Sequence, residues 1–173
     1  MEYDNIMLIS PNTVKAIGGV SLNVDDAFIG NAIRTAQNTY LEDVIGKVFL
    51  DSVKEKVYNG TISDLENAAY KELLDNYIKY VLASEVLVEA ALNTSMKIRN
   101  LGVVRNTDTN AAYPSLSDVQ YVLDYHRTAY NHYLNRMSDF ICANKAAFVE
   151  AEGFGCGGCK TKKRYANTNL FLG

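Results

Sequence analysis

A chain of 173 residues with a formal net charge of −3 and 48% hydrophobic residues is long enough for one domain with a buried core, and too apolar for wholesale disorder. That charge gives no global attraction to nucleic acid or to an anionic membrane. Three cysteines cannot all pair within one chain, and a disulfide-stapled fold of this length uses more, so synthesis in a reducing cytosol is expected.

The opening stretch, MEYDNIMLISPNTVK, has neither the basic start nor the long apolar run of a leader, and a chain without one is expected. Only two prolines occur, Pro11 and Pro114, both outside the strongly periodic segments, which suits a mostly helical protein. The first predicted helix follows SLNVDDAFIGNAIRTAQNTYLEDVIG, with Asn23 as its cap, Asp25 and Asp26 complementing its positive end, and Gly46 as its stop. Phe28, Ile29, Ala32, Ile33, Ala36, Tyr40 and Val44 keep the three-to-four spacing of one buried stripe. A shorter helix, KVFLDSVKEKVYNG, runs into a turn at Asn59-Gly60.

The next helix is predicted to open on a capping box, Ser63 with Glu66, and to run to about Arg99. Between Tyr77 and Leu92 it is apolar on nearly every side, with Lys79, Glu85 and Glu89 as one narrow polar strip. Such a helix is either central in its own fold or covered by another subunit. Those three charges also leave it short of a membrane span. The stretch NLGVVRNTDTNAAYPS then lacks helical periodicity and reads as a long ordered loop or a short hairpin built on GVVR. A second long helix covers SLSDVQYVLDYHRTAYNHYLNRMSDFICANKAAF, capped by Ser117 with Gln120 or by Ser115 with Asp118. Its predicted inner face is Val119, Val122, His126, Ala129, Tyr133, Met137, Phe140 and Ala147. The fold class expected is all-α: a helical bundle with two long helices, a long inter-helix loop or short hairpin, and an extended C-terminal tail. The division expected is a helical domain over 1–148 and a flexible, Gly-rich and basic arm over 149–173.

That arm holds Cys156 and Cys159 in a C-x-x-C pair, followed by four basic residues in five. A closed zinc site needs four N or S ligands, and no second C-x-x-C or C-x-x-H exists, so these two cysteines are weak metal candidates only. His126 and His132 stand six apart on a helix, about 240° around it, and cannot face one metal together. Cys142 reads as a small buried apolar residue. A thioredoxin-like reading needs the first cysteine at a helix start after a strand, a context these glycines do not supply. Neither histidine has a motif around it, and Glu85 with Glu89 lacks the Glu-x-x-His partners of a di-metal bundle. Gly18-Gly19 lacks the Lys and Ser/Thr of a phosphate loop. No catalytic residue, enzyme activity or cofactor is therefore predicted. Lys160, Lys162, Lys163 and Arg164 read as a docking patch, and Leu170 and Phe171, at the end of a polar tail, as an anchor for another chain. Seven tyrosines along the two long helices (70, 77, 80, 121, 125, 130 and 133) collectively favour a subunit interface.

In its order of elements the chain resembles head–tail connector proteins of tailed phages. LISPNTVKAIGGVSLNVDDAFIGNAIRTAQNTYLEDVIG is similar to their opening, a short segment before a helix that starts near an Asp pair. SMKIRNLGVVRNTDTNAAYPSLSDVQYVLDYHRTAYNHYLNRMSDFI resembles the connectors of Bacteroidetes-infecting, including crAss-like, phages, where a KGV-type loop precedes a last helix rich in Tyr and Arg; here the loop reads Leu101-Gly102-Val103. The resemblance spans roughly Ile6 to Ile141. It implies a structural virion protein, an adaptor made in the host cytoplasm and placed in the neck. There, commonly twelve copies form a ring joining the portal to the tail or next neck ring and extending the DNA channel, with no sequence-specific DNA contact and no membrane. On that reading Arg105, Asn106, Asp108 and Tyr113 of the loop meet a ring neighbour or the channel, and the basic tail docks on the portal or the next ring. The alternative is a small helical metal- or nucleic-acid-binding protein that uses the basic C-x-x-C tail.

Overall fold

Ser10 starts the first helix, α1 (Pro11–Gly18), in the computed structural model, which describes residues 3, 5–19, 24–99, 102–105, 115–151 and 154–156, with the backbone alone at 92–99, 102–105 and 116. The Ser10 hydroxyl accepts from the Thr13 amide at 3.2 Å, and Pro11 occupies the first helical position, where its missing N–H costs nothing. Gly19, at φ 61°, closes the helix by donating to the Lys15 carbonyl. No helix is predicted here from periodicity, because eight residues give too few turns to establish one. Lys15 pairs with Asp26 at 2.6 Å and ties α1 to the next helix.

That helix, α2 (Asp26–Thr35), is capped by Asp25, whose carboxylate accepts from the Ala27 amide at 2.8 Å; the predicted cap, Asn23, lies outside the described residues. The helix continues through a π segment (Ala36–Leu41) into α3 (Glu42–Ile45) and stops at Gly46, as expected. The wider turn changes which residues face inward. From Ile29 to Ala36 the predicted stripe is buried, with Phe28 only partly so, but beyond it Gln37, Leu41 and Ile45 are buried, while Tyr40 and Val44 are only partly so. One extra residue in the turn rotates everything that follows by one position.

α4 (Lys47–Tyr58) matches its prediction and ends at Asn59, before Gly60. The Ser63–Glu66 capping box does not start the next helix. Short 3-10 turns at Thr61–Ser63 and Leu65–Asn67 come first, and α5 (Ala68–Leu73) begins after Asn67, whose amide donates to the Thr61 carbonyl at 3.0 Å. A second π segment (Leu74–Ile78) joins α5 to α6 (Lys79–Ser95).

Every residue from Val81 to Val88 is buried, and α6 packs on α1, α2, the first π segment and α7 (Leu116–Ala143). The apolar helix is therefore central in its own fold, one of the two situations that its sequence permits. α1 lies so close to α6 that a Cβ on Gly18 would sit 2.6 Å from Leu87, so Gly18 serves packing, while Gly19 serves the cap. The predicted helix end at Arg99 is corrected: the helix stops at Ser95, and β1 (Met96–Arg99) pairs antiparallel with β2 (Gly102–Arg105), Met96 opposite Arg105 and Arg99 opposite Gly102. Among the described residues this hairpin is the only strand pairing, and the fold is all-α in class.

The Ser115–Asp118 capping box begins α7, with each side chain bonded to the other residue's amide. Its buried face is Leu123, Tyr130, Leu134, Met137 and Ile141. This corrects the predicted stripe by one position: Met137 belongs to it, Val122 is 42% exposed and Ala147 is exposed. α7 carries apolar residues on two adjacent faces, and periodicity alone does not choose between them.

Candidate interaction surfaces and the C-terminal clasp

α7 ends at Asn144, and the chain turns back over α4 and α5. Phe148 is fully buried, with its ring 5.0 Å from Tyr70, 5.3 Å from Phe49 and 6.1 Å from Phe140. Ala151 and Phe154 join the same core. Glu150 accepts from Ser52 Oγ at 2.9 Å and, on its other oxygen, from the Tyr70 hydroxyl. Burial, and then the Glu150 carboxylate, push the Tyr70 phenol above its ordinary range. Partial burial opposes the shift at Glu150, but the Tyr70 hydroxyl, its own backbone and Ser52 hold that carboxyl below the usual value. Cys156 then forms a disulfide with Cys142 in the last turn of α7, Cα to Cα 5.5 Å. The expected start of an arm at residue 149 is thus displaced, because residues 149–151 and 154–156 are fastened to the helical core at three points. The expectation of Cys142 as a plain buried thiol is corrected too, as is that of Cys156 as a metal candidate: a disulfide sulfur offers no thiolate to a metal.

Of the other predicted site residues, only Arg105 is among those described. Arg105 lies at the end of β2, opposite Met96. Asn106, Asp108, Tyr113, Cys159, Lys160, Lys162, Lys163, Arg164, Leu170 and Phe171 lie outside the described residues. Among the described residues there is no cluster of three or more His, Cys, Asp or Glu side chains that could hold a metal, and no helix long and apolar enough to cross a membrane. His126 packs its ring 5.2 Å from Tyr125, and burial lowers its pKa.

The tyrosines divide into two groups. Tyr77 stacks on Phe140 at 4.5 Å, Tyr80 leans on Tyr133 at 5.2 Å, and Tyr70 and Tyr130 are buried. Burial, then Glu85 and Tyr40, raise the Tyr130 pKa. Tyr121 and Tyr125 instead stand 75% and 64% exposed with Val122 between them, an uncovered aromatic face on the first half of α7. A second exposed apolar position is Leu65, 97% exposed at the rim of an open groove that Asp64, Ala68, Glu72 and Asp75 also line. Partial burial raises the Asp75 carboxyl, but hydrogen bonds from Lys71 and Lys79 outweigh it and hold the pKa below the ordinary value.

Residues 41–160 match the model of a family of unknown function, DUF6712. No curated protein and no solved structure matches the chain. The match takes in α3 through α7, the hairpin and the C-terminal clasp, and the chain belongs to that family.

Proposed function

We propose that the chain is a structural virion protein, a head–tail connector whose copies form a neck ring between portal and tail. In this reading the fold is a helical bundle built on two long helices, residues 68–95 and 116–143, with an extended tail beyond the clasp. The observation that carries it is the exposed face of Tyr121, Val122 and Tyr125. Tyrosine pairs an apolar body with a polar tip, so a surface of this kind tolerates water before assembly and is suited to being covered afterwards. A ring needs two different patches per subunit that meet head to tail, and the groove beside the exposed Leu65, lined by Asp64, Lys71, Glu72 and Asp75, offers a second, mostly charged patch. The likeness of residues 6–141 to phage connectors points the same way. The metal-binding alternative is weakened by the disulfide at Cys156.

Native mass spectrometry across a concentration series tests the reading, with metal content taken from the same spectra. A metal-free species at a high multiple of the monomer is expected, whether from the chain alone or after mixing with a portal ring. A chain that stays monomeric with and without a portal, or a monomer carrying stoichiometric metal, rejects it.

A further inference from the structure

We propose that the Cys142–Cys156 disulfide is a redox latch: a monothiol of the glutathione class opens it in the folded protein, and the chain past Phe148 then comes away from the helical core. The two sulfurs differ in access. Cys142 is half-buried and packed against the core, whereas Cys156 is exposed, and a Cβ built on neighbouring Gly155 would meet nothing within 4 Å. A small thiolate from solvent therefore reaches Cys156 Sγ without any part of the fold having to open.

Two monothiols are consumed and the step balances. The first, as thiolate, bonds to Cys156 Sγ; the Cys142–Cys156 bond breaks, and Cys142 leaves with the electron pair and takes a proton from water. The second thiolate attacks the small-molecule sulfur of this mixed disulfide, so that Cys156 leaves in turn and is protonated. The protein gains two electrons and two protons, and two monothiols are oxidised to one disulfide. An excess of that oxidised dimer runs the same steps backwards and closes the latch.

What the bond holds decides what its loss releases. Phe148 sits among Phe49, Tyr70 and Phe140 and stays as the pivot. Beyond it, besides the disulfide, the described residues grip the core through the burial of Ala151 and Phe154 and through Glu150, which accepts from Ser52 Oγ and from the Tyr70 hydroxyl. While the bond is intact, the detached segment is still a closed loop with a sequence separation of 14, so opening gains little chain entropy. Once the bond is reduced, the same opening frees one end, and the open state is favoured more by on the order of a hundredfold. Release bares the Ser52 and Tyr70 hydroxyls on α4 and α5, together with the apolar surface that Ala151 and Phe154 cover.

Hydrogen exchange of the full-length chain tests the latch, followed by NMR at the Ala151 and Phe154 amides, which donate to the Phe148 and Ala151 carbonyls. The protein is kept with reduced or with oxidised glutathione, and non-reducing peptide mass spectrometry reads the state of Cys142 and Cys156. Without denaturant, reduced glutathione is expected to open the bond and to speed exchange at both amides by on the order of a hundredfold. In the reduced chain these amides are expected to exchange faster than that of Val86 in α6, and with little dependence on low urea, because a local opening exposes little surface. Oxidised glutathione is expected to restore the slow rates. A Cys142→Ser/Cys156→Ser variant is expected to show the fast rates in either condition. A bond that glutathione reduces only in urea, exchange at Ala151 and Phe154 that reduction leaves unchanged, rates that follow those of Val86 at every urea concentration, or a double variant as slow as the oxidised parent would each overturn the proposal.

Discussion

Gln37 is a polar side chain at a fully buried position, and its two ends explain why it is tolerated there. Its carbonyl accepts from the Leu8 amide at 2.9 Å and its amide donates to the Ile6 carbonyl at 2.7 Å, so it replaces backbone partners for a segment that has no helix of its own. Gln37→Ala strands both backbone groups, and a loss of about 1–3 kcal/mol is expected in urea denaturation. Glu150 has a different signature. Its folded pKa lies below the ordinary value of 4.5, so its contribution is complete above that value and is lost as pH falls through the folded one. The stability of Glu150→Gln is therefore expected to fall less steeply than that of the parent between pH 5 and pH 3, read as midpoints in parallel denaturations. Tyr70 has the opposite sign: its pKa is raised from 10.0, so its share is present below pH 10 and is lost as the pH rises beyond the folded value.

At the scale of elements, register is the quantity most easily misjudged. Leu123 is 5% exposed and its neighbour Val122 is 42% exposed, so the two substitutions separate the buried face of α7 from the open one. Leu123→Ala is expected to cost about 2–4 kcal/mol, and Val122→Ala to stay within about 0.5 kcal/mol, in the same denaturation assay. Reversal of that order would place the stripe where periodicity first put it. The same comparison says what the sequence made legible. The glycine stop at Gly46 and the all-round apolar stretch near residue 85 are local patterns that can be read directly, whereas the Ser115–Asp118 cap is one of two that the spacing allows, and GVVR reads equally as loop or hairpin, with its partner strand Met96–Arg99 hidden in the helical pattern. The two π segments cannot be read in this way, since a helical stripe looks continuous on either side of an extra residue. Ser63 and Glu66 have the right spacing for a cap but the chain spends those residues in 3-10 turns, a choice fixed by the Asn67–Thr61 bond and not by the spacing. α1 was legible in principle, as Ser10 followed by Pro11, but only from cap chemistry. The clasp was not: nothing in the spacing of Cys142 and Cys156 reveals that Phe148 turns the chain back over α5.

For the molecule as a whole, the exposed face of α7 and the clasp make separate demands. A Tyr121→Asp/Tyr125→Asp double variant leaves the core untouched, so helical circular dichroism and melting temperature are expected to stay near those of the parent, while the high-mass species in native mass spectra is lost. An unchanged assembly would remove that face from the interface. The clasp closes a loop with a sequence separation of 14, and reducing it is expected to lower stability by about 3 kcal/mol, visible as a lower melting temperature with reductant than without. The central position of α6 has a consequence for how the chain is made. The cover over Val81 to Val88 comes from α1 and α2, which precede it, and from α7, which is synthesised last. While the ribosome is still adding the hairpin and the first turns of α7, one side of the most apolar helix therefore has nothing to rest on, and a chain stopped before residue 115 is expected to aggregate or to be held by chaperones. Native folding must wait for the final third of the protein to emerge.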